Sequence, residues 1–172
     1  MCANKVGKVI SCAPEAIIVA IDDIALFEEH KSSLQVGRFL KIAQGNHDFT
    51  IATIRNIKGM MSLGADGSPD WQFQVECQAI GTLIDDKKFD RGSLLLPVPT
   101  ELAFVADQNT LDKLFATDEQ HDFPLGQLSM NKDICLKIDG NRFFSKHIAI
   151  VGSTGSGKSC TVARILHDVV GI

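Results

Sequence analysis

Trp71-Gln72-Phe73-Gln74-Val75-Glu76-Cys77-Gln78 alternates without a break, apolar residues on one side and Gln72, Gln74, Glu76 and Gln78 on the other. A period of two with one polar side predicts an antiparallel strand that buries one face and wets the other. Around it lie further short runs rich in β-branched residues: KVGKVIS (5–11), EAIIVAI (15–21), GRFLKIA (37–43) and FTIATIRNI (49–57). Turn-forming residues separate them at Ala13-Pro14, at Gln44 to Asp48 and at Gly64 to Asp70. About six or seven short strands within roughly 100 residues predict a small closed barrel or a sandwich. The run IALFEEHKSS (24–33) fits either a loop or one helical turn.

The segment KKFDRGSLLLPVPTELAFV (87–105) reads as a last edge strand running into a linker, where Pro97 and Pro99 need no ladder partner. NTLDKLFA (109–116) places Leu111, Leu114 and Phe115 at helical spacing, with Asn109 or Thr110 available as a cap. The polar run TDEQHD (117–122) is the best boundary, and LGQLSMNKDICLKID (125–139) returns to extended structure. The expected organisation is a barrel over 1–105, a linker with a short helix over 106–124, and a further unit over 125–172.

The 172 residues suffice for one domain plus part of another, and 45% hydrophobic with 22% charged residues is a globular mix. No signal sequence or membrane-length apolar run is present, so the expected setting is cytoplasmic with no membrane. A net charge of −4 argues against a stand-alone DNA-coating domain, although a ring can confine positive charge to a few loops. Cys2, Cys12, Cys77, Cys135 and Cys160 form no CxxC pair, and His30, His47, His121, His147 and His167 have no partner at metal-ligand spacing. Free thiols and no zinc site are expected.

Gly152-Ser153-Thr154-Gly155-Ser156-Gly157-Lys158-Ser159 matches G-x-x-x-x-G-K-[ST] without a mismatch. The apolar run Ile148-Ala149-Ile150-Val151 ahead of it predicts a central parallel strand. Behind it, Val162, Ile165, Leu166 and Val169 line one side of a helix opposite Arg164, His167 and Asp168. Gly152, Gly155 and Gly157 allow the backbone to turn its amides inward on phosphate oxygens, at the positive end of the helix dipole. Lys158 is the catalytic candidate, reaching the β- and γ-phosphates of ATP, and the Ser159 hydroxyl would ligate Mg²⁺. Ser153, Thr154, Ser156 and Cys160 complete the expected nucleotide contacts. Cys160 reads as a small filler or a redox-sensitive thiol, His147 as structural or nucleotide-facing, and Arg142 as a solvated charge or a trans-acting arginine.

Leu125-Gly126-Gln127-Leu128, His147 to Val151 and the glycine loop, preceded by a barrel, resemble the HerA family of DNA-translocating ATPases. In the barrel, Val36-Gly37-Arg38-Phe39-Leu40, Ile80-Gly81-Thr82-Leu83 and Phe89-Asp90-Arg91-Gly92 resemble that family's amino-terminal HAS barrel. The implied fold is a mainly β HAS-type barrel followed by the start of an α/β RecA-like P-loop ATPase domain, truncated after the P-loop helix. The resemblance implies a homo-hexameric ring that hydrolyses ATP and moves double-stranded DNA through its pore. It also implies a nuclease or an NAD-hydrolase-type effector docked on the barrel face, in DNA repair or in antiphage defence.

The stretch is thus expected to be the front part of a longer protein and inactive as an ATPase alone, because no carboxylate is positioned to hold Mg²⁺ or orient water. Two alternatives stand beside the motor. One is a rotary-type ATPase subunit, and the other is a barrel acting as a hexamer-assembly and docking platform.

Overall fold

A computed structural model describes residues 4–45, 47–63, 69–91, 95–115, 122–129 and 131–170. The chain divides into two units, residues 1–114 and 115–172. In the first, β1 (Lys5–Cys12) turns at Ala13-Pro14 into β2 (Ile17–Ile21). A seven-residue helix, α1 (Ile24–His30), follows, so the ambiguous run is helical. The Asp23 carboxylate starts it by accepting from the Ala25 amide at 2.8 Å. Next come β3 (Phe39–Ala43), β4 (Phe49–Leu63) and β5 (Pro69–Ile84). The alternating octapeptide therefore belongs to a strand of 16 residues paired with one of 15. Of the turn expected at Gly64 to Asp70, Pro69 and Asp70 fall in β5 and residues 64–68 lie outside the described residues.

A three-residue strand, β6 (Lys88–Asp90), is added on the edge of β5, and β7 (Leu102–Val105) ends the series. The expected single edge strand over 87–105 is thus two strands, and β7 is not at an edge. It pairs with β1 on one side and β3 on the other. Pro97 and Pro99 lie ahead of it, so Leu102–Val105 keeps the amides that two-sided pairing needs.

The ladder runs β2-β1-β7-β3-β4-β5, and β2 pairs back onto β5, from Ile17 opposite Cys77 to Ile21 opposite Phe73. That last pairing decides between barrel and sandwich: six antiparallel strands close on themselves. Register shifts in β1, and in β4 at Ile51/Ala52 and Ile54/Asn56, bend the strands enough to close. Gly7 lets β1 approach β2, since a Cβ there would stand 2.2 Å from the Ala20 carbonyl oxygen.

Alternation sends Val6, Val9, Val19, Ile21, Leu40, Ile42, Ile54, Val75 and Cys77 into one core. Each fully buried Val, Leu or Ile stabilises by about 1.5–3 kcal/mol. Burial, with the nearby Glu76 charge, pushes the Cys77 thiol up to about 12, so it acts as an apolar filler. Phe73 stacks on Phe27 of α1 at 3.8 Å, and Trp71, farther out, is partly exposed.

The first unit closes with α2 (Gln108–Leu114), which buries Leu111 and Leu114. Its cap is neither Asn109 nor Thr110. Asp107 accepts from the Thr110 amide at 2.8 Å, two to three residues earlier than the sequence pattern suggests. The second unit opens with a hairpin of β8 (Asp122–Leu128) and β9 (Asn131–Asp139), followed by α3 (Gly140–Phe144) and α4 (Lys158–Val170). Phe143 packs edge to face on both Phe123 and Phe144, which tilt against each other, with ring centroids 5.1–5.8 Å apart.

Ile148–Val151 lies in no strand ladder, contrary to the expected central parallel strand. A parallel strand forms only by pairing, and the described strands of this unit pair with each other. Among the described residues no helix is long and apolar enough to cross a membrane.

Candidate phosphate-binding loop

The loop of residues 152–157 leads directly into α4, which begins at Lys158. Its shape depends on two residues that only glycine fills without strain: Gly155 at φ +83° and Gly157 at φ +87°. Between them the chain reverses sharply, and the Ser156 amide donates to the Ser153 carbonyl at 3.2 Å. A Cβ on Gly152 would stand 2.6 Å from the Ser156 hydroxyl oxygen, so the loop start is packed against its own end.

Lys158 folds back over this turn. Its Nζ donates to the Gly152 carbonyl at 2.8 Å and to the Ser153 carbonyl at 2.6 Å, placing the ammonium beside the loop. The Thr161 hydroxyl and amide both donate to the Gly157 carbonyl, at 3.1 and 2.9 Å, fixing the junction between loop and helix. Thr161 was not singled out by the motif. Its signal is a hydroxyl in the first helical turn that can bond back four residues.

No acidic residue occupies the first turn of α4. Carboxylates are normally favoured at that position because they meet the positive end of the helix dipole. Here the field is left to a lysine and to backbone amides, an arrangement suited to a bound anion. Ser153, Thr154, Ser156, Ser159 and Cys160 are all exposed around it. The Ser159 hydroxyl suits a magnesium ion, which takes oxygen ligands and keeps several of its waters.

The structure thus brings residues 152–160 together as one loop and helix start, and leaves the other candidates apart from it. Arg142 is bound within α3's own cap, its Nε 3.1 Å from the Asp139 carboxylate. His147 is exposed ahead of the loop. On α4, Val162, Leu166 and Val169 are 41%, 52% and 42% exposed, and Ile148, Ile150 and Val151 also reach the surface. The apolar side predicted for the helix is therefore real but largely uncovered within this unit.

A closed antiparallel barrel followed by a glycine loop that opens a helix defines a barrel-plus-P-loop protein. Residues 123–171 match the family model described as the helicase HerA central domain. The chain is 36% identical over 156 residues to the probable helicase MJ1565 of Methanocaldococcus jannaschii, covering 81% of this chain and 29% of that protein. It is 23% identical over 155 residues to the DNA double-strand break repair helicase HerA of Pyrococcus furiosus, covering 81% and 28%. These matches support the HerA helicase family for the chain, which spans under a third of the length of these two relatives.

Proposed function

We propose that the chain is the barrel and nucleotide-gripping front of an ATP-driven DNA translocase. The observation that carries this reading is the pair of positive-φ glycines, Gly155 and Gly157, set before a helix whose first turn holds Lys158 and no carboxylate. Amides of the loop from Ser153 to Cys160 surround the phosphates, and Lys158 exchanges its bonds to Gly152 and Ser153 for the β- and γ-phosphate oxygens. The Ser159 hydroxyl would hold magnesium, which would supply positive charge beside the phosphates. The loop and first helical turn contribute no carboxylate to orient water, so residues 1–172 alone bind nucleotide without turning it over.

On this reading the start of a RecA-like domain begins after residue 124, and further strands of that domain cover Ile148–Val151 and the apolar side of α4. The Pyrococcus furiosus relative is named for DNA double-strand break repair, which favours duplex DNA as the polymer moved. The closed barrel, complete with its own core, suits a platform for ring assembly as a homo-hexamer and for docking a nuclease or NAD-hydrolase-type effector.

Calorimetry with Mg-ATP on the intact protein tests the reading. Wild type should bind, and Lys158→Ala should weaken binding by tenfold or more, since a charge-assisted contact is worth about 1.5–3 kcal/mol. Wild-type protein that ignores Mg-ATP refutes the proposal.

A further inference from the structure

Asp86 stands where three parts of the barrel unit meet. With Asp85 it forms the tip of the β5–β6 turn, both residues left-handed at φ +53° and +48°. The Lys87 amide closes the turn on the Ile84 carbonyl at 2.9 Å, and the Asp85 amide donates to the Asp48 carboxylate at 2.8 Å. Two successive positive-φ residues define the type I′ hairpin turn, which Asp and Asn tolerate.

Two lysines converge on this tip. Lys41 of β3 donates to Asp86 Oδ1 at 2.6 Å and lies 4.0 Å over the Phe49 ring. Lys113, in the last turn of α2, donates to the Asp86 carbonyl at 2.6 Å and reaches Oδ1 at 3.4 Å. The lysine side chains keep 14% and 23% of their surface exposed and Asp86 42%, so the pairs are part-buried and only partly screened by solvent. A cleft of about 380 Å³ beside them is lined by Lys41, Phe49, Asp86 and Asp107, the residue that caps α2.

At seven residues, α2 is far shorter than the roughly 12–15 at which an isolated helix persists in water. It exists because it is docked: Leu111 and Leu114 are buried, Asp107 caps the start, and Lys113 ties the end to Asp86. Undocking therefore means unwinding. We infer that the Asp86–Lys113 contact is a latch that sets the length of the tether leaving the barrel. Docked, the seven residues span about 10 Å as helix, and released they reach about 24 Å extended. The latch thus decides whether residues 108–114 leave the barrel as a docked helix or as an extended chain. Nothing in this depends on nucleotide binding.

Asp86→Asn tests the ionic part of the latch, because asparagine keeps the positive-φ turn and the carbonyl that accepts from Lys113 while removing the carboxylate charge. Hydrogen exchange on the intact protein should show protection of the Leu111 to Leu114 amides falling by about 10- to 100-fold. The amides of Ile42, Ile54 and Val75 should keep theirs. Lys113→Met, which retains the apolar stem but removes both bonds to Asp86, is the direct test and should give the same pattern with at least as large a fall. Raising salt from about 0.05 to about 0.5 M should lower α2 protection in wild type more than in either variant. Unchanged exchange at 111–114 in both variants overturns the latch. Equal loss in α2 and the core strands also overturns it, since Asp86 would then be a general stability contact.

Discussion

Replacing Gly157 with alanine isolates the backbone's contribution to the phosphate loop. A Cβ at this position would meet nothing within 4 Å, so no clash with a neighbour enters the result. What remains is the backbone itself, which at φ +87° lies where L-residues are strained. Holding alanine there costs about 1–2 kcal/mol. If nucleotide binds the loop in this conformation, that cost appears as a reduced population of competent loop and weakens Mg-ATP binding by about 5- to 30-fold. Gly126 provides the control, because its surroundings are equally open and its φ is not positive. Calorimetric titration of the intact protein should therefore show Gly157→Ala weakened and Gly126→Ala unchanged, both with an unaltered denaturation midpoint for the barrel. Gly157→Ala binding within about twofold of wild type would refute the reasoning, since a difference of 1 kcal/mol cannot hide there.

Gly7→Ala acts on the barrel instead. Its Cβ would press on the Ala20 carbonyl 2.2 Å away, so β1 and β2 must part. A loss of about 2–4 kcal/mol by urea denaturation is expected, and a change under about 0.5 kcal/mol would contradict the close approach. Asp107 gives a pH dependence. Burial pushes its carboxyl up, but hydrogen bonding from Thr110 and the charges of Lys41 and Lys113 outweigh this and hold it below the ordinary value. Its stabilisation is therefore complete above the unfolded pKa of about 4 and is lost as pH falls through the lower folded value. The urea midpoint should drop as pH falls below about 5 and on through the lower folded value, and Asp107→Asn should remove part of that drop. An identical pH slope in the variant would show that the capping carboxylate is not responsible.

Much of the local structure is legible along the chain because its signals are local. Alternation from Trp71 to Gln78 marks β5, and the 3.6-residue spacing of Val162, Ile165 and Val169 marks α4. The loop from Gly152 to Ser159 is recognisable because eight consecutive residues carry its chemistry. The α1 helix is ambiguous in the sequence, since seven residues with one capping aspartate lie at the edge of what a period can show.

Which residues can form strands, which glycines must bend, and where the helix behind the glycine loop begins all follow from the order of amino acids, because each depends on neighbours a few positions away. Barrel closure is different, and it rests on β2 meeting β5. So do the central place of β7, the unpaired state of Ile148–Val151, and the meeting of Asp86 with lysines 45 and 27 positions away. Those belong to the folded chain alone. Strand pairing and ion pairing between distant segments are chosen by competition among partners that carry the same local pattern, and only the complete packing of the core selects one.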